Sequence, residues 1–162
     1  TGDFIALDIG TTALEIAKML TLKQDITVVT PNFQAANVLV NSPKIRVITT
    51  GGILRPGELS MIGELAESVF DKYFVDKFFI GAACIDVNYG ITNFNLDEAR
   101  LKRAMMESAK STILVADSSK FRKRAFVKIC SLKEINLVIS DSNISDSDLT
   151  ILKESDVQVK IV

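Results

Sequence analysis

The 162-residue sequence contains no histidine. Without it the chain cannot assemble a Ser-His-Asp or Cys-His catalytic group, an HExxH zinc site or a histidine proton shuttle, so acid–base chemistry is left to carboxylates, lysine and tyrosine. Only two cysteines are present, Cys84 and Cys130, and they lack CxxC spacing, which predicts ordinary reduced thiols. We predict neither a metal site nor a cofactor.

Long apolar runs are missing as well. No stretch approaches the roughly 18 residues that span a bilayer, and no signal sequence follows Thr1, which predicts a cytoplasmic protein with no membrane partner. Neither sign of charge is in large excess. The net charge of -1 and the pI near 5.5 provide no basic field for duplex DNA, so we expect any DNA binding to require another domain.

Linkers rich in glycine, serine or proline are also lacking, and 48% hydrophobic with 24% charged residues is an ordinary globular composition. We therefore expect residues 1–162 to form a single domain with a substantial core. Because the sequence starts at Thr1 rather than at methionine, we expect an excised domain.

Short apolar runs alternate with helical patterns along most of the chain. The runs predict strands at 4–7, 26–29, 45–49, 77–80, 112–116, 125–129, 137–139 and 157–162. The patterns between them predict helices at 12–20, 33–40, 63–72, 96–110 and 146–154. This alternation predicts an α/β fold, a mostly parallel sheet flanked by helices. Glycines and a proline in residues 51–57 predict a hairpin-like excursion or a lid.

Ligands of open α/β sheets bind outside the carboxyl ends of the strands. The first such end is the most informative, because strand 4–7 is followed by Asp8, Gly10, Thr11 and Thr12 and then by a helix. Gly10 allows close approach of a ligand, either threonine can cap the helix, and the free N–H groups of a helix start attract phosphate. The same residues are also explained by helix initiation alone.

The helix at 96–110 places Glu98 and Lys102 within its apolar stripe, whereas Arg100 and Arg103 lie on the opposite face. One interpretation is an ordinary i,i+4 ion pair. The other is a polar pocket in which Glu98 accepts ligand hydroxyls and Lys102 binds a phosphate or carboxylate. The inward direction of both side chains favours the pocket.

Polar residues at other strand ends have two readings each. Asp117 and Lys120 suit a polyol phosphate or form a solvated turn. Asn32 is a helix N-cap or a site residue, and Gly81 indicates close approach to a ligand or tight packing. Asp86 belongs to a turn or accepts a sugar hydroxyl.

Six segments, taken in order, resemble the C-terminal effector-sensing domain of DeoR-type bacterial transcription regulators. They are LDIGTT (7–12), VVTPN (28–32), GGILR (51–55), IGA (80–82), EARLKRAM (98–105) and LVADSSKF (114–121). The resemblance covers essentially the whole chain. Two segments depart from the family pattern, since TNFN (92–95) replaces Thr-Thr-Pro-Asp and GAAC (81–84) replaces Gly-Ala-Asp-Gly.

The resemblance implies a fold similar to that of ribose phosphate isomerases. It also implies a transcriptional repressor, usually a homo-oligomer, that binds a phosphorylated sugar here and operator DNA through an absent N-terminal winged helix-turn-helix. The ligand-binding residues that it implies are Asp8, Gly10, Thr11, Thr12, Thr30, Asn32, Gly51, Gly52, Gly81, Asp86, Glu98, Lys102, Asp117 and Lys120.

Three functions follow from these observations. We favour a sugar-phosphate sensor that is not an enzyme, because a sensor needs only binding groups. The alternative is an aldose–ketose phosphate isomerase with Glu98 as the base and Lys102 stabilising an enediolate. A purely structural oligomerisation module is disfavoured, since it leaves Glu98 and Lys102 buried without a ligand.

Overall fold

The computed structural model describes residues 2–162. Its strands are β1 (Phe4–Leu7), β2 (Ile26–Thr30), β3 (Ile45–Thr49), β4 (Ile53–Leu54), β5 (Met61–Ile62), β6 (Val75–Ile80), β7 (Cys84–Asp86), β8 (Gly90–Asn93), β9 (Ala109–Val115), β10 (Val127–Cys130), β11 (Leu137–Ser140) and β12 (Gln158–Ile161). Its α-helices are α1 (Thr11–Leu20), α2 (Phe33–Leu39), α3 (Glu64–Ser68), α4 (Leu96–Ser108) and α5 (Asp146–Glu154). No α-helix within residues 2–162 is long and apolar enough to cross a membrane.

Seven strands form the main sheet, in the order β12-β11-β9-β6-β1-β2-β3. Every neighbouring pair in it is parallel; in the centre, Ile5 of β1 pairs with Val28 of β2 and with Lys77 of β6. The predicted α/β fold, a mostly parallel sheet flanked by helices, is confirmed. Because the strands are parallel, the residues that follow β1, β6 and β9 emerge at one edge.

Hydrophobic cores lie on both faces of the main sheet, as parallel sheets require. On one face, Leu7 and Val28 pack with residues of α1 and α2. On the other face, Phe78 and Leu114 pack with Leu101 and other residues of α3 and α4. The sheet therefore lies between two layers of helices.

Two small antiparallel sheets lie outside the main one. The predicted hairpin is present as the pairing of β4 with β5. The other sheet has the order β10-β8-β7, in which β7 and β8 were not predicted. Its third strand was predicted at 125–129; it begins at Val127 and pairs with β8. The strand starts later than predicted because the N–H of Ala125 donates to the side-chain hydroxyl of Thr92. That N–H therefore does not take part in the backbone hydrogen bonds between strands.

Two predicted helices are too long at their C-terminal ends. The helix predicted at 96–110 ends at Ser108, because Ala109 has extended backbone angles and already pairs with Val75 of β6. The helix predicted at 63–72 is only α3. Beyond it, Phe70 and Lys72 donate to carbonyls three residues back, and these tight turns replace the helical pattern. In both cases tertiary pairing or turn formation overrides local helical periodicity.

Candidate functional site

A cavity of about 410 Å³ opens at the carboxyl edge of the main sheet. It is bounded by the loops after β1, β6 and β9, by the β4–β5 hairpin, and by the start of α4. The residues lining it are Ile9, Gly10, Thr11, Thr12, Arg55, Glu58, Gly81, Ala82, Ala83, Asn93, Phe94, Asn95, Glu98, Lys102, Asp117 and Lys120. Its size suits a small organic ligand, for which pockets of about 300–1,000 Å³ are usual.

The loop after β1 brings the N-terminus of α1 to the cavity. The helix begins at Thr11, and its N-cap is Gly10, with φ of 93° and no side-chain cap. The prediction that Thr11 or Thr12 caps the helix is therefore wrong; both lie inside its first turn. The first intrahelical N–H donor is Leu14, so the N–H groups before it have no helical partner. Such groups, at the positive end of the helix dipole, bind anions.

Thr30 and Asn32 hold this loop from beneath and do not line the cavity. The Thr30 hydroxyl donates to the Leu7 carbonyl at 2.9 Å. The Asn32 side chain caps α2 through Ala35 and donates to the Gly10 carbonyl at 3.1 Å. These hydrogen bonds join the end of β2 to the loop after β1 and so fix the backbone of Gly10.

A buried ion pair joins Lys102, which lines the cavity, to Asp8, which lies behind the lining. Lys102 donates to Asp8 at 2.5 Å and to the Gly81 carbonyl at 3.0 Å. The same carboxylate oxygen of Asp8 accepts the Gly81 N–H at 2.8 Å. Both side chains are almost fully buried, so each charge depends on the other. This cluster fixes the loops after β1 and β6 to α4.

Only one oxygen of Asp8 takes part in that cluster. The other, Oδ1, is buried and has no hydrogen-bond partner among residues 2–162. A buried carboxylate oxygen without a partner carries a desolvation cost. A buried water molecule that donates to Oδ1 would remove that cost.

A second ion pair links the hairpin to α4. Arg55, just beyond β4, donates to Oε1 of Glu98, and Asn93 donates to Oε2 at 3.1 Å. Glu98 thus pairs across the cavity rather than with Lys102 at i,i+4. The burial predicted for Glu98 and Lys102 is confirmed, at 7% and 4% exposed.

Asp117 is the N-cap of a short 3-10 helix after β9, and Lys120 is the last residue of that helix. Asp117 accepts hydrogen bonds from the N–H and hydroxyl of Ser119, and the hydroxyl bond lowers the pKa of that carboxyl. No ion pair involving Lys120 is found in the described part of the chain. Lys120 is the cation of the cavity whose charge remains available to a ligand.

Six of the residues implied by the resemblance lie outside the lining: Asp8, Thr30 and Asn32, described above, and Gly51, Gly52 and Asp86. Gly51 and Gly52 lead into the hairpin; Gly52 has φ of 102°, and a Cβ there would lie 2.5 Å from the Ile62 carbonyl oxygen. The Asp86 carboxylate pairs with Arg124 at 2.9 Å, which lowers its pKa. Arg124 in turn stacks on the Tyr89 ring.

Several lining residues were not among the ligand-binding residues expected from the sequence. The polar or aromatic ones are Arg55, Glu58, Asn93, Phe94 and Asn95. The sequence did contain a signal for Arg55, because it ends the GGILR motif. It contained one for residues 93–95 too, since they directly precede the helix with Glu98.

Solved structures with a similar fold include ribose-5-phosphate isomerases. One, in complex with phospho-erythronic acid, matches 74% of this chain and 46% of its own with a TM-score of 0.53 and 17% identity. The enzyme from Methanocaldococcus jannaschii matches 74% of this chain and 47% of its own with a TM-score of 0.52 and 17% identity. At such identities the likeness concerns the fold alone.

Sequence relatives are transcriptional regulators by name. The uncharacterized HTH-type regulator YulB of Bacillus subtilis is 40% identical over 100% of this chain and 62% of its own length. The putative aga operon repressor of Escherichia coli O157:H7 is 36% identical over 99% and 60%. The glycerol-3-phosphate regulon repressor of Escherichia coli K12 is 30% identical over 99% and 64%.

The chain thus spans less than two thirds of the length of these relatives. A family model described as the DeoR C terminal sensor domain matches residues 1–142. The match includes every loop that lines the cavity. The chain therefore belongs to the DeoR C-terminal sensor domain family.

Proposed function

We propose that this chain is a single domain that senses a phosphorylated sugar, or a metabolite derived from one, within a transcriptional repressor. The observation that carries the proposal is the cavity, where the unpaired N–H groups at the start of α1 meet the cations Lys102 and Lys120. A phosphate would bind the N–H groups and Lys120, and the ligand hydroxyls would bind Glu98, Asp117 and the amide side chains.

The remaining residues implied by the resemblance have supporting roles in this proposal. Asp8 positions Lys102 and the N–H of Gly81. Thr30 and Asn32 fix the Gly10 loop, while Gly51 and Gly52 shape the hairpin that carries Arg55. Asp86 would act only if its loop moved toward the cavity.

The role that we propose is binding, not catalysis. An aldose–ketose isomerase needs a carboxylate free to remove a proton. Both carboxylate oxygens of Glu98 instead accept hydrogen bonds, one from Arg55 and one from Asn93. The relatives are named as transcriptional regulators, which also supports binding rather than catalysis.

Operator DNA would be bound by a helix-turn-helix domain outside this sequence, in a cytoplasmic homo-oligomer. A net charge of -1 supports separate domains for sensing and for DNA binding, because it gives the sensor no electrostatic attraction for DNA. The oligomer would have two quaternary arrangements that differ in their affinity for DNA. Ligand binding would shift the population toward the arrangement that binds the ligand more tightly.

Thermal-shift screening of hexose, pentose and triose phosphates tests the proposal, since a ligand at about a hundred times its Kd adds roughly 2.7 kcal/mol of stability. We expect at least one of these compounds to raise the Tm. If none of them does, or if one is turned over to product, the sensor hypothesis fails.

The site is tested by two matched pairs of variants. Gly10→Ala and Gly2→Ala both place a Cβ at positive φ in open space, but only Gly10 lines the cavity. Lys120→Ala removes the available cation, and Lys123→Ala removes an exposed lysine outside the lining. We expect Gly10→Ala and Lys120→Ala to weaken sugar-phosphate binding measured by calorimetry. Equal effects within either pair would show that the phosphate binds elsewhere.

A further inference from the structure

One aromatic ring, that of Phe94, is found among the described residues that line the cavity. Phe94 is 70% exposed. A single exposed apolar side chain is ordinary on a protein surface, and Phe126, at 86% exposed, is an example outside the lining. Phe94 differs because its exposed ring faces a concave polar site, next to groups suited to an anion.

The backbone around Phe94 is held firmly on both sides. Asn93 ends β8, where it pairs with Val127; its side chain donates to Glu98 and accepts the N–H of Asn95 at 3.3 Å. Asn95 is the N-cap of α4, and its side chain accepts the N–H of Glu98 at 2.9 Å. The two asparagines therefore prevent the segment from turning the ring into the core.

The remaining wall of the cavity recognises charge and hydroxyl groups. It offers the start of α1, the cations Arg55, Lys102 and Lys120, and the side chains of asparagines and carboxylates. The N–H groups and cations alone would bind inorganic phosphate as readily as the phosphate of a metabolite, because they contact only the anion. The carboxylates and asparagines can add hydrogen bonds to hydroxyls, but none of these polar groups packs against a carbon skeleton. A sensor of organic phosphates needs a contact that inorganic phosphate cannot make.

We infer that Phe94 provides that contact by packing its ring against the carbon skeleton of the effector. The inference rests on the proposed function and adds a residue that determines specificity. The C–H groups of a sugar phosphate lose contact with water against the ring, while its hydroxyls bind the polar wall. Phe94 would thereby distinguish a phosphorylated carbon compound from inorganic phosphate.

The test compares calorimetric affinities for glucose 6-phosphate, fructose 6-phosphate, glycerol 3-phosphate and inorganic phosphate. For each organic phosphate that binds the natural chain, we expect Phe94→Ala to lower the affinity by about tenfold, equivalent to about 1.4 kcal/mol. Its affinity for inorganic phosphate should stay unchanged. The heat-capacity change on binding the organic phosphate should also become less negative, since less apolar surface is buried.

Two further variants complete the experiment. Phe94→Tyr keeps the ring and should retain the affinity, and Phe126→Ala removes an exposed ring outside the cavity and should change nothing. If Phe94→Ala binds the organic phosphate as well as the natural chain does, the inference is wrong although the proposed function stands. If Phe94→Ala weakens organic and inorganic phosphate equally, the ring only supports the shape of the site, and the inference also fails. If neither these organic phosphates nor any compound of the thermal-shift screen binds the natural chain, both proposals fail.

Discussion

At the scale of single residues, the cavity depends on charges that are paired before any ligand arrives. Lys102 meets Asp8 and Arg55 meets Glu98, each pair joining α4 to a loop or hairpin that follows a different strand. Such pairs fix the geometry of the loops more than they stabilise the fold. The free energy needed to remove the ions from water is nearly as large as the free energy gained from their attraction. The pairs therefore hold the loops in place, and in the proposed site Lys120 is left to bind the ligand.

Removing one member of the buried Lys102–Asp8 pair should show how strongly the fold depends on it. We expect Lys102→Met to lower the free energy of unfolding by about 3–5 kcal/mol, because it leaves Asp8 charged, buried and short of a partner. Urea denaturation at neutral pH measures the loss. The control is Lys77→Met, which breaks a 2.6 Å pair with Asp3 at the surface and should have a much smaller effect, since water screens exposed charges. Similar losses in both variants would show that the interior pair is not specially important.

At the scale of elements, local patterns predicted most of what the structure contains. Apolar runs identified the strands of the main sheet, and the spacing of α4 predicted that Glu98 and Lys102 are buried. The ends of elements were less predictable. The helical pattern continues through Ala109 and Lys110, but the pairing of Ala109 with Val75, distant in sequence, decides the boundary.

The contacts between residues of the site could not be predicted from the sequence for the same reason. Nothing local indicates that Arg55 crosses to Glu98, because the link depends on how the β4–β5 hairpin folds over α4. Strands β7 and β8 are short, and their pairing depends on a turn between Asp86 and Gly90. Their polar residues are equally typical of a loop. Residues 93–95 directly precede the helix with Glu98, which was a signal that they lie near the site, but only the fold showed that Phe94 lines the cavity.

The hairpin itself can be tested at one glycine. Gly52→Ala would place a methyl group 2.5 Å from the Ile62 carbonyl oxygen, in addition to the cost of φ at 102°. Gly57→Ala shares the positive φ, at 84°, but meets nothing within 4 Å. The backbone term alone costs about 1–2 kcal/mol. We expect Gly52→Ala to lower the Tm further than Gly57→Ala and also to weaken sugar-phosphate binding, because the displaced hairpin carries Arg55. Equal Tm values would mean that the hairpin does not need the close approach at Gly52.

At the scale of the whole molecule, the absence of histidine removes the side chain that ordinarily titrates between about pH 5 and 8. Carboxyl groups ordinarily titrate below this range. Hydrogen bonds from Arg124 lower the pKa of Asp86, and those from Ser119 lower the pKa of Asp117. These carboxylates stabilise the fold when charged, and that stability is lost as the pH falls below the ordinary pKa of 3.8 and through their lowered values.

At the alkaline end, burial raises the pKa of the Cys130 thiol from 9.0 to about 12. Above pH 9 the unfolded chain releases this proton while the folded chain retains it, so unfolding becomes more favourable by about 1.4 kcal/mol per pH unit. We therefore expect the free energy of unfolding to be nearly constant from about pH 5 to 8 and to fall on both sides. Urea titrations across this range measure the profile. Cys130→Ala should have a shallower alkaline decline than the natural chain and the same acid limb. An unchanged alkaline slope would show that the Cys130 thiol is ionised as easily in the fold as in the unfolded chain.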